Sequence, residues 1–142
     1  MDSNVEFLNY IYQNAEMGKT IISQLISIAE NEPFKKVLES QLREYNEIFD
    51  LASNKIEGAK EKSKGIGSFT KITTYIMINF NTLIKKDPAH IAEMLIQGST
   101  MGIIDVTKRL KEYSDADKDI LELADRLLKF EQRNVDEMKK LL

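Results

Sequence analysis

The sequence predicts an all-α protein: a four-helix bundle with an extra short helix in a long crossover between the second and third helices. Three observations predict it. Glycine (6) and proline (2) are too scarce for a turn-rich β-sandwich or barrel. Apolar residues recur at spacings of three and four through four long stretches. Both prolines follow a side chain suited to cap a helix, Asn31 before Pro33 and Asp87 before Pro88. The 142 residues make one domain, residues 1–142, and a chain of that size buries roughly 70% of its unfolded surface. A hydrophobic share of 42% beside a charged share of 30% is that of a folded soluble chain, not a disordered one.

The first helix covers residues 5–30, with an inner stripe of Leu8, Ile11, Ala15, Gly18, Ile22, Leu25 and Ala29. It stops at Asn31, Glu32 and Pro33. The second helix begins there and runs to residue 62, burying Phe34, Val37, Leu38, Tyr45, Ile48, Ala52, Ile56 and Ala59. Residues 63–68 are a loop. Residues 69–85 form a shorter helix with Phe69, Ile72, Ile76, Phe80 and Leu83 on one side. It is rich in β-branched residues, but a lone strand would have nothing to pair with. The next helix starts at Pro88, ends near residue 113, and turns Ile91, Leu95, Gly98, Gly102, Val106 and Leu110 inward. Ser114 and Asp115 break the chain. The last helix runs from residue 116 to the end on Ile120, Ala124, Leu127, Glu131, Asn134, Met138 and Leu141. Short joins make the first two helices antiparallel neighbours, and likewise the last two. The long connection between the pairs is a crossover, and one long crossover is the ferritin-like arrangement.

Composition removes whole classes of function. A net charge of −3 and a pI of about 5.3 leave no basic footprint for nucleic acid. Asp2 and Glu6 fall in a start without basic residues, unlike a signal peptide. The longest uncharged run, residues 72–84, is 13 residues, against about 20 for a spanning helix. No membrane insertion is expected, and the default address is the cytoplasm. Without cysteine there is no disulfide, thiolate zinc site, iron–sulfur cluster or thiol nucleophile. The single histidine, His90, excludes multi-histidine metal sites and any triad needing a second one; it lies on a helix flank near the surface.

Glu131 and Asn134 are the sharpest feature, because a carboxylate on a bundle seam is costly unless paired or protonated. Burial there should raise its pKa, unless amides from Gln41 or Asn134 stabilise the anion. Counting from the helix ends puts Glu131 level with Gly98 and with residues 41–45, so Gln41, Tyr45 and Glu44 are candidate partners. Gly18, Gly98 and Gly102 sit on inner stripes, where glycine costs roughly 1 kcal/mol against alanine. They either admit close packing, with room for Tyr45, Phe49 or Met101, or open a cavity beside Glu131. The group as a whole is either a polar cluster that sets helix register or a ligand pocket. Asp105 and Arg109 are four apart on the edge of their helix, the spacing of an ion pair. Met17, Met77, Met94, Met101 and Met138 suit core and flank filling. The uncharged residues 72–84 cover the bundle or form a subunit interface. A homodimer is expected, through that helix or through a mild flank of Tyr10, Met17, Ile21 and Ile28.

The chain resembles the ferritin-like superfamily. It is also similar to small bacterial bundles that carry stretches like HIAEMLIQGSTMG at residues 90–102. Di-iron members use one glutamate from each of two helices and Glu-x-x-His from each of the other two, all pointing inward. Here the last helix offers Glu131-x-x-Asn134. In the second, Gln41 faces inward, Glu44 lies on the flank and Glu47 points away. Glu16 falls outside with Gly18 inside, and Glu93 lies nearly opposite Gly98 and Gly102. Both histidines are missing, and one inner carboxylate with two carboxamides cannot replace water around two dications. The resemblance thus implies the scaffold without metals. No catalytic residue, metal ligand or cofactor is expected. The resulting expectation is a non-enzymatic module that binds a protein or a small ligand. The alternative, a metal-dependent oxidoreductase or iron handler with unusual ligands, rests on fold analogy and Glu131 alone.

Overall fold

A computed structural model describes residues 3–58 and 87–142. These residues form four helices and no strand: α1 (Ser3–Ile28), α2 (Glu32–Gly58), α3 (Pro88–Glu112) and α4 (Lys118–Lys139). The loop at 63–68, the short helix at 69–85, Ala59 and the end of the second helix at 62 lie outside the described residues. So does the interface drawn through residues 72–84.

Both proline-marked starts form as the side chains dictate. The Phe34 N–H donates to Asn31 Oδ1 at 2.9 Å, and the Lys35 N–H to the Asn31 carbonyl at 2.9 Å. The Ala89 N–H donates to Asp87 Oδ1 at 3.0 Å, with Pro88 in the first turn, where its missing N–H costs nothing. The last helix differs at both ends from its expected span. It begins at Lys118 after Asp117 and gives way to a C-cap at Lys140. Asp117 makes no side-chain cap; instead its N–H donates to Asn4 Oδ1 at 2.7 Å. The Tyr113 hydroxyl donates to Glu6 at 2.9 Å, and its ring stands 5.3 Å from that of Phe7. The α3–α4 corner is therefore tied to the first turns of α1.

The helices pack as two hairpins, α1 with α2 and α3 with α4, and α4 also touches both members of the first hairpin. The α4 seam is buried as its spacing requires, from Ile120 through Ala124, Leu127, Glu131 and Asn134 to Met138, with Leu123 and Phe130 added. In α1 the buried surface is wider than one stripe. It takes in Phe7, Tyr10 and Ile21 as well as Asn9, Gln13 and Asn14. This corrects one expected subunit interface: Tyr10 and Ile21 are buried within the chain, with the Arg109 guanidinium of α3 over the Tyr10 ring at 4.3 Å. The same contact replaces the expected Asp105–Arg109 ion pair, because the guanidinium lies on the aromatic ring and donates to the Tyr113 hydroxyl at 3.4 Å. In α3 only Ile91, Ala92 and Val106 are buried, while Leu95, Gly98, Gly102 and Leu110 are half-buried. Two glycines in that face carry no side chain to fill the space toward α1.

Asn31→Ala should lower stability by about 1 kcal/mol, the usual cost of losing an N-cap. Urea denaturation checks this, and an unchanged midpoint would mean that the Asn31–Phe34 bond does not hold the start of α2.

Candidate functional site

The site forms where the glycines of α1 and α3 face the large side chains of α2 and α4. A Cβ on Gly18 would stand 2.5 Å from Tyr45 Cζ, so the Tyr45 ring occupies the place of an α1 side chain. A Cβ on Gly102 would stand 2.7 Å from Glu131 Cδ and 2.8 Å from Oε1, so the Glu131 carboxyl fills the corresponding notch in α3. A Cβ on Gly98 would meet nothing within 4 Å. One turn of helix thus separates a filled notch from an open one.

The open notch belongs to a cavity of about 60 Å³. Its walls are Met17, Gly18, Ile21 and Ile22 of α1, Tyr45 of α2, and Met94, Leu95, Gly98, Ser99, Met101 and Gly102 of α3. Asn14, Asp105 and Glu131 supply its strongly polar groups, and among the described residues no lysine, arginine or histidine lines it. Glu131 is 2% exposed, and its Oε2 has no hydrogen-bond partner. Burial pushes its pKa from 4.5 up to about 8; the neighbouring Asn14 amide works against this and the Asp105 charge adds to it. The hydroxyls of Tyr10 and Tyr45 are likewise raised, first by burial, with nearby Glu131 contributing to both. Asn14 donates to the Tyr10 hydroxyl at 3.3 Å, one turn away on α1. Near neutral pH the cavity therefore presents a largely protonated Glu131 carboxyl beside the Tyr45 phenol, the Asn14 amide and the Asp105 carboxyl.

The residues singled out in the sequence divide between two faces. Glu131, Tyr45, Gly18, Gly98 and Gly102 meet at the cavity. Gln41, Glu44 and Asn134 line a groove between α2 and α4, beside Arg43, Glu47 and Arg133. Asn134 reaches the Tyr45 hydroxyl from that side. Glu44 is not a partner of Glu131: it takes a bidentate pair from Arg126, at 2.9 Å from Nε and 2.8 Å from Nη2. Gln41 is buried, as its position on the stripe requires, but its Nε2 has no hydrogen-bond partner. His90 is exposed. The sequence reading missed Asn14 and the lining role of Met17, Ile21 and Asp105. The signal for Asn14 was its place four residues from both Tyr10 and Gly18, on a line shifted by one residue from the chosen stripe. Asn9 Oδ1 and Gln13 Nε2 are two further buried polar atoms without hydrogen-bond partners.

Among the described residues no group of three or more histidine, cysteine, aspartate or glutamate side chains could hold a metal ion. Nor, among them, is any helix long and apolar enough to cross a membrane. Among the described residues, fold and site together define a helical bundle with a buried acid beside a mostly apolar cavity. Comparison with protein-family models, with curated proteins and with solved structures finds no match for the chain.

Two predictions follow from the geometry. Gly102→Ala and Gly18→Ala should each destabilise the fold by about 1–3 kcal/mol through overpacking, whereas Gly98→Ala should stabilise it by up to about 1 kcal/mol through helix propensity. Pairing Gly102→Ala with Glu131→Ala should recover part of the loss, since the two sites share one space. Chemical denaturation of the series checks both signs.

The pH dependence of stability tests the state of Glu131. Its folded pKa lies above its unfolded one, so the folded protein holds a proton that the unfolded chain has released. The stabilisation is complete below about pH 4.5 and is lost as pH rises toward about 8. Relative to Glu131→Gln, the parent protein should lose up to about 1.4 kcal/mol per pH unit across that window. Parallel curves for the two proteins would show Glu131 to be ionised or exposed.

Proposed function

We propose that the chain is a non-enzymatic small-ligand-binding bundle on a ferritin-like scaffold, with the ligand held in the Glu131 cavity. One observation carries the reading: a buried carboxyl with an unpartnered oxygen borders a cavity with mostly apolar walls. A buried carboxyl oxygen left without a partner costs stability. Such a cost is the mark of a site kept for binding. Apolar walls with a few convergent polar groups are the usual make-up of a small-molecule site. Four long helices, with residues 59–87 joining the pairs, support the ferritin-like comparison. A small molecule is favoured over a protein partner because the features that need explaining point inward.

Calorimetric titration with four-carbon probes (n-butanol, n-butylamine and butanoic acid) tests the proposal. At least one should bind the parent protein, and Gly98→Phe, which fills open space, should abolish binding while leaving the fold intact by circular dichroism. Binding of none of them would overturn the reading. So would near-stoichiometric iron retained after anaerobic loading, which would favour an iron handler with unusual ligands.

A further inference from the structure

We propose that the ligand class of the Glu131 cavity is a small alkylammonium ion, bound as an ion pair with Glu131 and with release of one proton to solvent. This rests on the reading of the cavity as a binding site and adds the chemistry of its occupant.

Charge decides first. Glu131 and Asp105 both line the cavity, and among the described residues no basic side chain does. The nearest basic group on the same helix face, Arg109, is held over the Tyr10 ring and against the Tyr113 hydroxyl. A carboxylate or phosphate ligand would meet two carboxyl groups and, among the described residues, no cation. A neutral alkyl group would leave Glu131 Oε2 without a partner. An ammonium group brings three donors to a site whose acceptors include two carboxyl groups and the Asn14 amide oxygen. A bare divalent cation is a poorer fit, since calcium needs six to eight oxygen ligands and magnesium a near-ideal octahedron.

The walls suit the rest of such a molecule. Met17, Met94 and Met101 are polarisable and adjust their shape to an alkyl chain. Tyr45 adds an aromatic face, which attracts cations. Size sets the limit: a cavity of 60 Å³, at about 10–15 Å³ for each water-sized group, holds roughly four to six such groups. That corresponds to an amine of about three to five carbons.

The proton balance is simple. The free ligand carries its proton on nitrogen, and Glu131 carries one on its carboxyl. When the ammonium enters, Glu131 ionises to meet it and its proton leaves to water. No bond in the ligand breaks. Among the described residues, the other groups facing Glu131 are Tyr10 and Asn14 of α1, Tyr45 of α2 and Asp105 of α3, with Arg109 beyond Tyr10. Both phenols have their ionisation pushed above the ordinary tyrosine range, so they stay protonated through the window of interest.

Calorimetry between pH 5.5 and 7.5 with n-butylamine tests the inference. The dissociation constant should fall about tenfold for each pH unit, as release of one proton requires. Heats measured in buffers of different ionisation enthalpy should report one proton released. Glu131→Gln, with its fold verified by melting, should bind weakly and without pH dependence. If n-butanol binds as tightly as n-butylamine, or if the amine's affinity is flat with pH, the alkylammonium inference falls while the pocket stands. If no four-carbon probe binds at any pH, both fall.

Discussion

The contact between Glu131 and Gly102 sets the geometry around which the other three helices are arranged. A carboxyl group can fill the centre of this bundle only because the facing helix offers backbone where a side chain would be. The Tyr45 ring uses the Gly18 notch in the same way on the opposite hairpin. Each pairing sets large against absent, which brings the helices close without leaving the large group exposed. Between the two notches the arrangement has nothing to offer Gly98, and the cavity opens there. The cavity is thus a consequence of the packing and not an ornament on its surface.

Burying the carboxyl fixes its chemistry. In water Glu131 would be ionised at neutral pH; at 2% exposure the charged form loses its hydration and the proton is retained. Tyr10 and Tyr45 are driven the same way by the same surroundings. The interior is therefore polar but largely uncharged, and it changes character as soon as a cation enters. A leucine at the same position would pack without these demands, which is why the polar group reads as functional rather than structural.

The ends of the bundle are held by ordinary means. Asn31 and Asp87 cap their helices from within the local sequence. The α3–α4 corner is fixed by long-range bonds instead, from Asp117 to Asn4 and from Tyr113 to Glu6. Across α2 and α4, Arg126 binds Glu44 and Glu47, and Lys55 meets Asp119 at 2.5 Å. These pairs are partly or well exposed, so they orient the helices more than they stabilise them.

Helix class and seam were legible in the sequence because they depend on local causes. A 3.6-residue period places Ile120, Leu127, Glu131 and Met138 on one face whatever the partner is, and a capping side chain before proline marks a start by itself. Position on the seam was enough to bury Glu131 and to raise its pKa. What the sequence could not supply was which side of each seam faces which neighbour. Glu44 adjoins Tyr45 yet falls in another groove, because a step of one residue about a helix axis carries a side chain through about 100°; Gln41 and Asn134, about one turn from Tyr45 and Glu131, line that groove too. Tyr10 and Ile21 read as a spare flank until α3 was laid across them, and Arg109 had a carboxylate four residues away but found an aromatic ring. Those choices are made by the crossing of helices distant in the chain. Only the tertiary structure decided them, since the space left by a glycine has meaning only when the side chain opposite is known.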